Sequence, residues 1–309
     1  MANASVSHIG QINASGDLDA LWLKVFAGEV LTAFEENNVF LPLTRVRTIS
    51  SGKSAQFPAS GKIASSEYHT PGNEILGQAI KHAEKVITID DLLISHAFLS
   101  NIEEAKNHYD VRSVYSTQIG RELAKAMDVN IARCLVTAAR QSAIVTGENG
   151  GSVITNAAAA TDGEVLASLI FQAAQYFDEK DIPSMDRYFA CKPAVYNLLA
   201  QTTKVLNKDW GGAGSYSDGK VIKVADITIV KSNHLPSTNV TTGPTKYQGD
   251  FSTTVGVAFT PEAAGTVKLL DLSMESQYDI RRQGTLMVGK YACGHDWLRP
   301  DCAVEVKTA

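Results

Sequence analysis

Apolar residues recur at three- and four-residue steps over Leu18, Leu21, Trp22, Val25, Phe26, Val30, Leu31 and Phe34, the spacing of an amphipathic helix that starts near Ser15-Gly16-Asp17. Asn37 and Asn38 mark its end, and Pro42 forbids continuation. From Arg45 to Pro58 the pattern shifts to short strand-like stretches, and Lys85-Val86-Ile87-Thr88-Ile89 is a further β-branched run bounded by charge. Between them Ala59 to His82 is rich in Gly, Ser and Lys, turns at Pro71-Gly72 and has almost no periodicity. Compact domains rarely hold so long a structureless stretch unless it functions. Residues 46–90 therefore read as a long two-stranded arm with a polar tip. Two strands alone bury no face, so the arm needs a surface to lie on, and in a chain this short that surface is expected on a neighbouring copy.

Asn101 to Gln141 runs without proline and with the single glycine Gly120. Ile102, Ala105, Tyr109, Tyr115, Ile119, Leu123, Met127, Ile131, Leu135 and Ala138 keep one apolar face. Forty helical residues span about 60 Å, roughly twice the diameter of a small domain, so the helix predicted here is a strut. Its other face mixes acids and bases, including the helical pair Glu122 and Lys125, and is expected to be solvated. Thr146 to Asp162 reads as a linker, and Thr161-Asp162-Gly163-Glu164 has capping-box spacing. The helix that follows places Val165, Leu166, Leu169, Ile170, Ala173, Ala174 and Phe177 on one face. Arg187 to Cys191 reads as a strand, Pro193 opens another helix, and Val221–Val224 and Ile227–Lys231 are strand-like. This alternation predicts an α/β unit of about a hundred residues. Ser237 to Asp250 reads as a loop, and short strands are expected around Val255–Phe259, Thr266–Leu270 and Leu286–Tyr291.

Composition narrows the function classes. The 309 residues hold 28 Lys and Arg against 33 Asp and Glu, a net charge of -5, which argues against a surface that seeks nucleic acid by neutralising phosphates. A 44% hydrophobic and 20% charged chain excludes global disorder. No apolar run approaches the ~18 residues of a membrane span. The small, polar N-terminus is not that of a secretory signal, so the chain is expected to work in the compartment where it is made. Cys134, Cys191, Cys293 and Cys302 are too scattered for a disulfide framework and read as reduced thiols.

Candidate chemistry fails at each place tested. Ser50-Ser51-Gly52-Lys53-Ser54 resembles the end of a phosphate-binding loop, but Arg47 stands where the first glycine belongs. Cys293, His295 and Cys302 offer three soft ligands without the paired spacing of zinc sites or an obvious fourth member. Gly214 to Gly219 misses the nucleophile elbow by one position, and Gly211-Gly212 with Gly214 does not fit the dinucleotide fingerprint. Adjacent carboxylates such as Glu35-Glu36, Asp90-Asp91 and Glu103-Glu104 diverge and converge on no substrate. No catalytic residue, cofactor site or metal ligand is expected.

Collinear blocks carry a more specific signal. Leu23–Phe34, Ser50–Pro58, His82–Asp90, Ile102–Ser113, Gly265–Leu272 and Lys290–His295 resemble, in order, the major capsid proteins of T7-like podoviruses, over nearly the whole chain. The resemblance implies an α+β chain with the HK97-like major capsid fold of tailed phages. Its parts here would be an N-terminal arm, 1–45; an E-loop hairpin, 46–92; a peripheral domain with spine helix, 93–149 and 256–309; and an inserted axial domain, 150–255. It further implies self-assembly as hexamers and pentamers into an icosahedral head enclosing double-stranded DNA without sequence-specific binding. A scaffolding protein during assembly, a portal at one vertex, a place in the virion capsid after assembly in the host cytoplasm, and no membrane partner are part of the same expectation. The alternatives are a cellular compartment shell on this fold and, remotely, a metal-dependent enzyme using Cys293, His295 and Cys302. The compact loop Asn207–Gly219, the tail residues Cys293, Trp297 and Cys302, and the first fifteen residues depart from the family pattern. On the arm, Arg47, Lys53, Lys62, Glu67, Glu74, Lys81, Glu84 and Lys85 carry both signs and are the expected subunit-interface residues, setting register by ion pairs with a neighbour.

Overall fold

The computed structural model describes residues 38–63, 66, 68–101, 111–202 and 223–309. The helix expected over 18–34, the loop 207–219 and the start of the strut lie outside them. In chain order the elements are β1 (Arg45–Thr48), β2 (Ser54–Ser60), β3 (His82–Thr88), β4 (Leu93–Ser100), α1 (Val111–Ala139), β5 (Ser152–Thr155), α2 (Gly163–Glu179), β6 (Tyr188–Cys191), α3 (Pro193–Ala200), β7 (Lys223–Val224) and β8 (Ile227–Lys231). Then come β9 (Asn239–Val240), β10 (Gly249–Asp250), β11 (Thr254–Phe259), β12 (Ala264–Asp279), β13 (Gly284–Trp297) and β14 (Ala303–Lys307). The described residues form two compact units, one drawn from Asn38, 90–101, 111–127 and 268–293, the other from 39–63, 66, 68–89, 128–202, 223–267 and 294–309.

In the first unit β4 lies antiparallel to β13, from Leu93 opposite Tyr291 to Ser100 opposite Gly284. Ile119, Leu123 and Met127 of α1 are buried, as the strut's apolar face predicts. The helix sits close on the sheet at Gly289, where a side chain would press on Ile119, Leu123 and Met274. The Tyr291 hydroxyl donates to the Leu123 carbonyl at 3.4 Å.

The second unit is built on a six-stranded sheet of order β5-β14-β11-β6-β8-β7. β11 runs antiparallel to both β14 and β6, whereas β14 with β5 and β6 with β8 are parallel. α2 buries Leu166, Leu169, Ile170, Ala173, Ala174 and Phe177. Its cap is Asp162, not the Thr161 of the expected box: the Asp162 carboxylate accepts from the Glu164 amide at 2.8 Å. Pro193 opens α3 at the position where a missing amide costs nothing. At the end of α1, Arg140 donates to both carboxylate oxygens of the fully buried Glu305, each at 2.6 Å, and to the Asp250 carbonyl at 2.6 Å.

Several expectations need correcting. The strands expected to be short around 266–270 and 286–291 are the long β12 and β13; β12 continues through Asp271–Asp279, where polar and apolar residues alternate, and β13 continues through the mixed Ala292–Trp297, so neither extension carries a continuous apolar run. The linker 146–162 contains β5 and a helical turn at Ala157–Ala160. The loop 237–250 contains the β9–β10 pair and another turn at Thr245–Tyr247. β4 and β14 were not predicted. The charged face of the strut is not uniformly solvated, because Asp128 is fully buried.

Candidate subunit interface on the arm

The arm is the antiparallel pair β2–β3, in register from Ser54 opposite Thr88 to Ser60 opposite His82. Alternation turns Ala55 and Ile87 inward onto Val267 and Leu298, with Ile49, Phe57 and Ile89 around them. This small core fixes the root. Polar contacts reinforce it: Lys246 donates to the Thr88 carbonyl at 2.9 Å, and the Lys53 carbonyl accepts from the Ile89 amide at 2.9 Å. Gly294 passes so close to the Thr88 carbonyl that no Cβ fits there.

Beyond Ser60 and before His82 the described residues form no regular element, apart from the turn at Pro71-Gly72. Their apolar side chains have no cover: Tyr68 is fully exposed, Leu76 is 86% exposed, Ile75 77% and Ile63 61%. Large apolar groups gathered on one exposed segment make it a candidate interaction surface.

The sequence-predicted charges divide by depth along the arm. Lys85 is nearly buried at the root, 3.0 Å from Asp296 and 3.5 Å over the Trp297 ring. Arg47, on β1, donates to the Gln56 carbonyl at 3.0 Å and lies 5.6 Å from the Phe57 ring. Lys62 and Lys81 sit where the stem ends: the Lys62 amide donates to Glu148 Oε1 at 2.7 Å, Lys62 Nζ lies 3.4 Å from Asp181, and Lys81 Nζ donates to the Thr146 carbonyl at 3.3 Å. Lys53, Glu74 and Glu84 are exposed and, among the described residues, form no side-chain ion pair. Glu67 lies outside the described residues. The residues that hold the arm, Glu148, Asp181, Lys246, Asp296 and Trp297, were not singled out as its partners. Only Trp297 had a signal, as a departure from the family pattern.

A second anchorage lies where the N-terminal segment enters. Asp128, buried in α1, accepts from the Val39 amide at 2.7 Å and the Phe40 amide at 3.2 Å, and it faces His234 Nδ1 at 3.0 Å. Phe40 is fully buried and packs 6.4 Å from the Phe259 ring.

The residues weighed for metal chemistry have other settings. His295 is buried and shares a 2.9 Å hydrogen bond between Nδ1 and the Thr266 hydroxyl. Cys302 is buried, and burial pushes its thiol up to about 12 with the help of the nearby Asp301 charge. Among the described residues no three His, Cys, Asp or Glu side chains gather as a metal site. Nor is any described helix long and apolar enough to cross a membrane.

Comparison with known proteins agrees with this architecture. Residues 56–307 match the family model of Gp10A-like major capsid proteins. The major capsid protein of Escherichia phage T7 is 35% identical over 94% of this chain and 92% of its own length. The capsid structure of the cyanophage P-SCSP1u superposes over 100% of this chain and 99% of that one, with a TM-score of 0.82 at 46% identity. The mature capsid of bacteriophage PhiM1, at 19% identity, shares the fold over 88% of this chain with a TM-score of 0.76. These matches do not favour the compartment-shell and metal-enzyme alternatives. A stem-anchored arm, a long helix against a sheet, and a further mixed sheet are the parts of the HK97-like shell fold, and the chain belongs to the Gp10A-like major capsid protein family of phage shells.

Proposed function

We propose that copies of this chain assemble as hexamers and pentamers into an icosahedral head around double-stranded DNA, each arm laid on a neighbouring copy. The observation that carries this reading is the uncovered apolar tip, whose Ile63, Tyr68, Ile75 and Leu76 gain burial only when another surface meets them. Of the arm charges, Lys53, Glu74 and Glu84, with Glu67, set register at that boundary, while Arg47, Lys62, Lys81 and Lys85 are engaged within their own subunit. Each exposed pair contributes only ~0–1 kcal/mol, so strength comes from repetition around the shell. The role is structural, without catalysis. Assembly takes place in the host cytoplasm with a scaffolding protein, and a portal occupies one vertex. The wall encloses DNA without reading its sequence, consistent with the net charge of -5, since a wall that gripped phosphate would hinder packaging and release.

The test replaces residues 63–80 by a short Gly-Ser turn, which the bond from the Gly61 amide to the Lys81 carbonyl can close at 2.9 Å. Electron microscopy of the parent chain, expressed with a scaffolding protein, is expected to show closed shells, and the shortened chain folded subunits that close none. Unimpaired particles from the shortened chain would overturn the arm's role.

A further inference from the structure

The arm is held at two places of different character. At the root, Ala55 and Ile87 are buried and Lys85 is enclosed by Asp296 and Trp297. Farther out, at Gly61, Lys62 and Lys81, the contacts are polar and exposed, and all come from one side: Glu148 and Thr146 on the loop after α1, and Asp181 just past α2. Beside this stretch lies a cleft of about 490 Å³, lined by Phe57, Ser60 and Lys62 of the arm and by Val145, Glu148 and Asp181 opposite.

We propose that Glu148, Thr146 and Asp181 form a releasable catch that holds the arm's stem to its own subunit and sets the direction in which the tip is presented to a neighbour. Three features carry this. The Glu148 carboxylate takes a main-chain amide, that of Lys62, and so fixes the backbone and not merely a flexible side chain. Gly61 lets the stem approach: a Cβ there would stand 3.0 Å from Val145 Cγ1, 3.2 Å from the Lys81 carbonyl and 3.3 Å from Glu148 Oε1. The contacts are solvent-exposed and individually weak, whereas the root is a packed core, so the stem opens at the catch while the root stays closed. The cleft gives the freed stem room to shift. Such a device lets one chain present its arm at more than one angle, which neighbours around a closed shell require.

The experiment uses the full-length unassembled subunit, with amide hydrogen exchange read residue by residue, so it stands apart from the shell-forming role. Normal exchange with failed shells would touch that role alone. With Glu148→Ala the Lys62 amide is expected to exchange about tenfold faster, as loss of one charge-assisted bond implies, with the Ile87 and Val257 amides unchanged. Gly61→Ala, which crowds the catch and leaves its charges in place, is expected to give the same local signature. A Lys62 rate within twofold of the parent in both variants would overturn the catch. So would an equal acceleration at Ile87 and Val257, which would make Glu148 a general support of the fold.

Discussion

A carboxylate in the middle of a helix, cut off from water, is costly unless donors surround it. Asp128 is such a group, and its donors are two main-chain amides of the entering segment and the His234 ring. Asp128→Ala would leave the Val39 and Phe40 amides without their acceptor. Loss of about 2–4 kcal/mol in unfolding free energy is expected, with Asp128→Asn, which keeps an acceptor, losing less. Urea unfolding of the unassembled subunit measures both, and a change below about 0.5 kcal/mol for the alanine variant would show that the amides find water instead. The thiols behave differently. Burial lifts Cys191 from 9.0 to about 12, and Cys302 is lifted likewise. The unfolded chain therefore loses these protons first, so their contribution to stability is whole below pH 9 and lost as pH climbs towards 12. At pH 8 both are expected to resist iodoacetamide until the chain unfolds; mass spectrometry showing rapid labelling of native subunits would contradict that.

Among the elements, the join between α1 and β14 rests on a buried ion pair. Glu305 is fully buried and its compensation is Arg140, which also reaches Thr254 at 3.2 Å and lies 5.3 Å from the Phe251 ring. Arg140→Ala strands a buried carboxylate, and about 3 kcal/mol of stability should go with it, the lower end for such pairs because Arg140 keeps one side in water. Denaturant unfolding checks this, and Glu305→Gln, which removes the charge, should cost less. The same join explains why part of the fold was illegible. α2, α3, β6, β8 and β11 follow from local periodicity, because their buried faces are apolar throughout. β14 does not: Glu305 between Val304 and Val306 reads as an outward polar position on a short stretch, and only Arg140, 165 positions away, makes that glutamate a buried one. The buried Asp128, on the strut face expected to be solvated, escaped for the same reason. The arm's two strands were legible from composition, since a long aperiodic stretch between two strands signals itself, but the tip read as polar exposes Ile63, Tyr68, Ile75 and Leu76, and the root packs on Val267 and Leu298 of its own chain. Its fastenings were not, because Thr146, Glu148, Asp181 and Asp296 are ordinary surface residues in sequence and meet the arm only in the fold.

For the whole molecule, two forces compete when copies meet. Every copy carries a net charge of -5, so approach is opposed, while each brings an uncovered apolar tip that gains by burial. Added salt shortens the screening length to about 10 Å at 0.1 M, which relieves the repulsion, would weaken ion pairs between copies and leaves apolar burial intact. If the tip supplies most of the adhesion, assembly of the parent chain should quicken from low to moderate salt; if cross-copy ion pairs supply it, assembly should slow. Quickening is the expected result, followed by light scattering and by counting closed shells in micrographs. Substituting Tyr68, Ile75 and Leu76 together by serine separates the forces further. All three are exposed in the subunit, so its unfolding free energy should move by no more than about 0.5 kcal/mol. Yet shells should fail at every salt concentration, because screening cannot restore lost apolar contact. Closed shells from the triple serine variant at the parent's rate would show that the tip is not the adhesive.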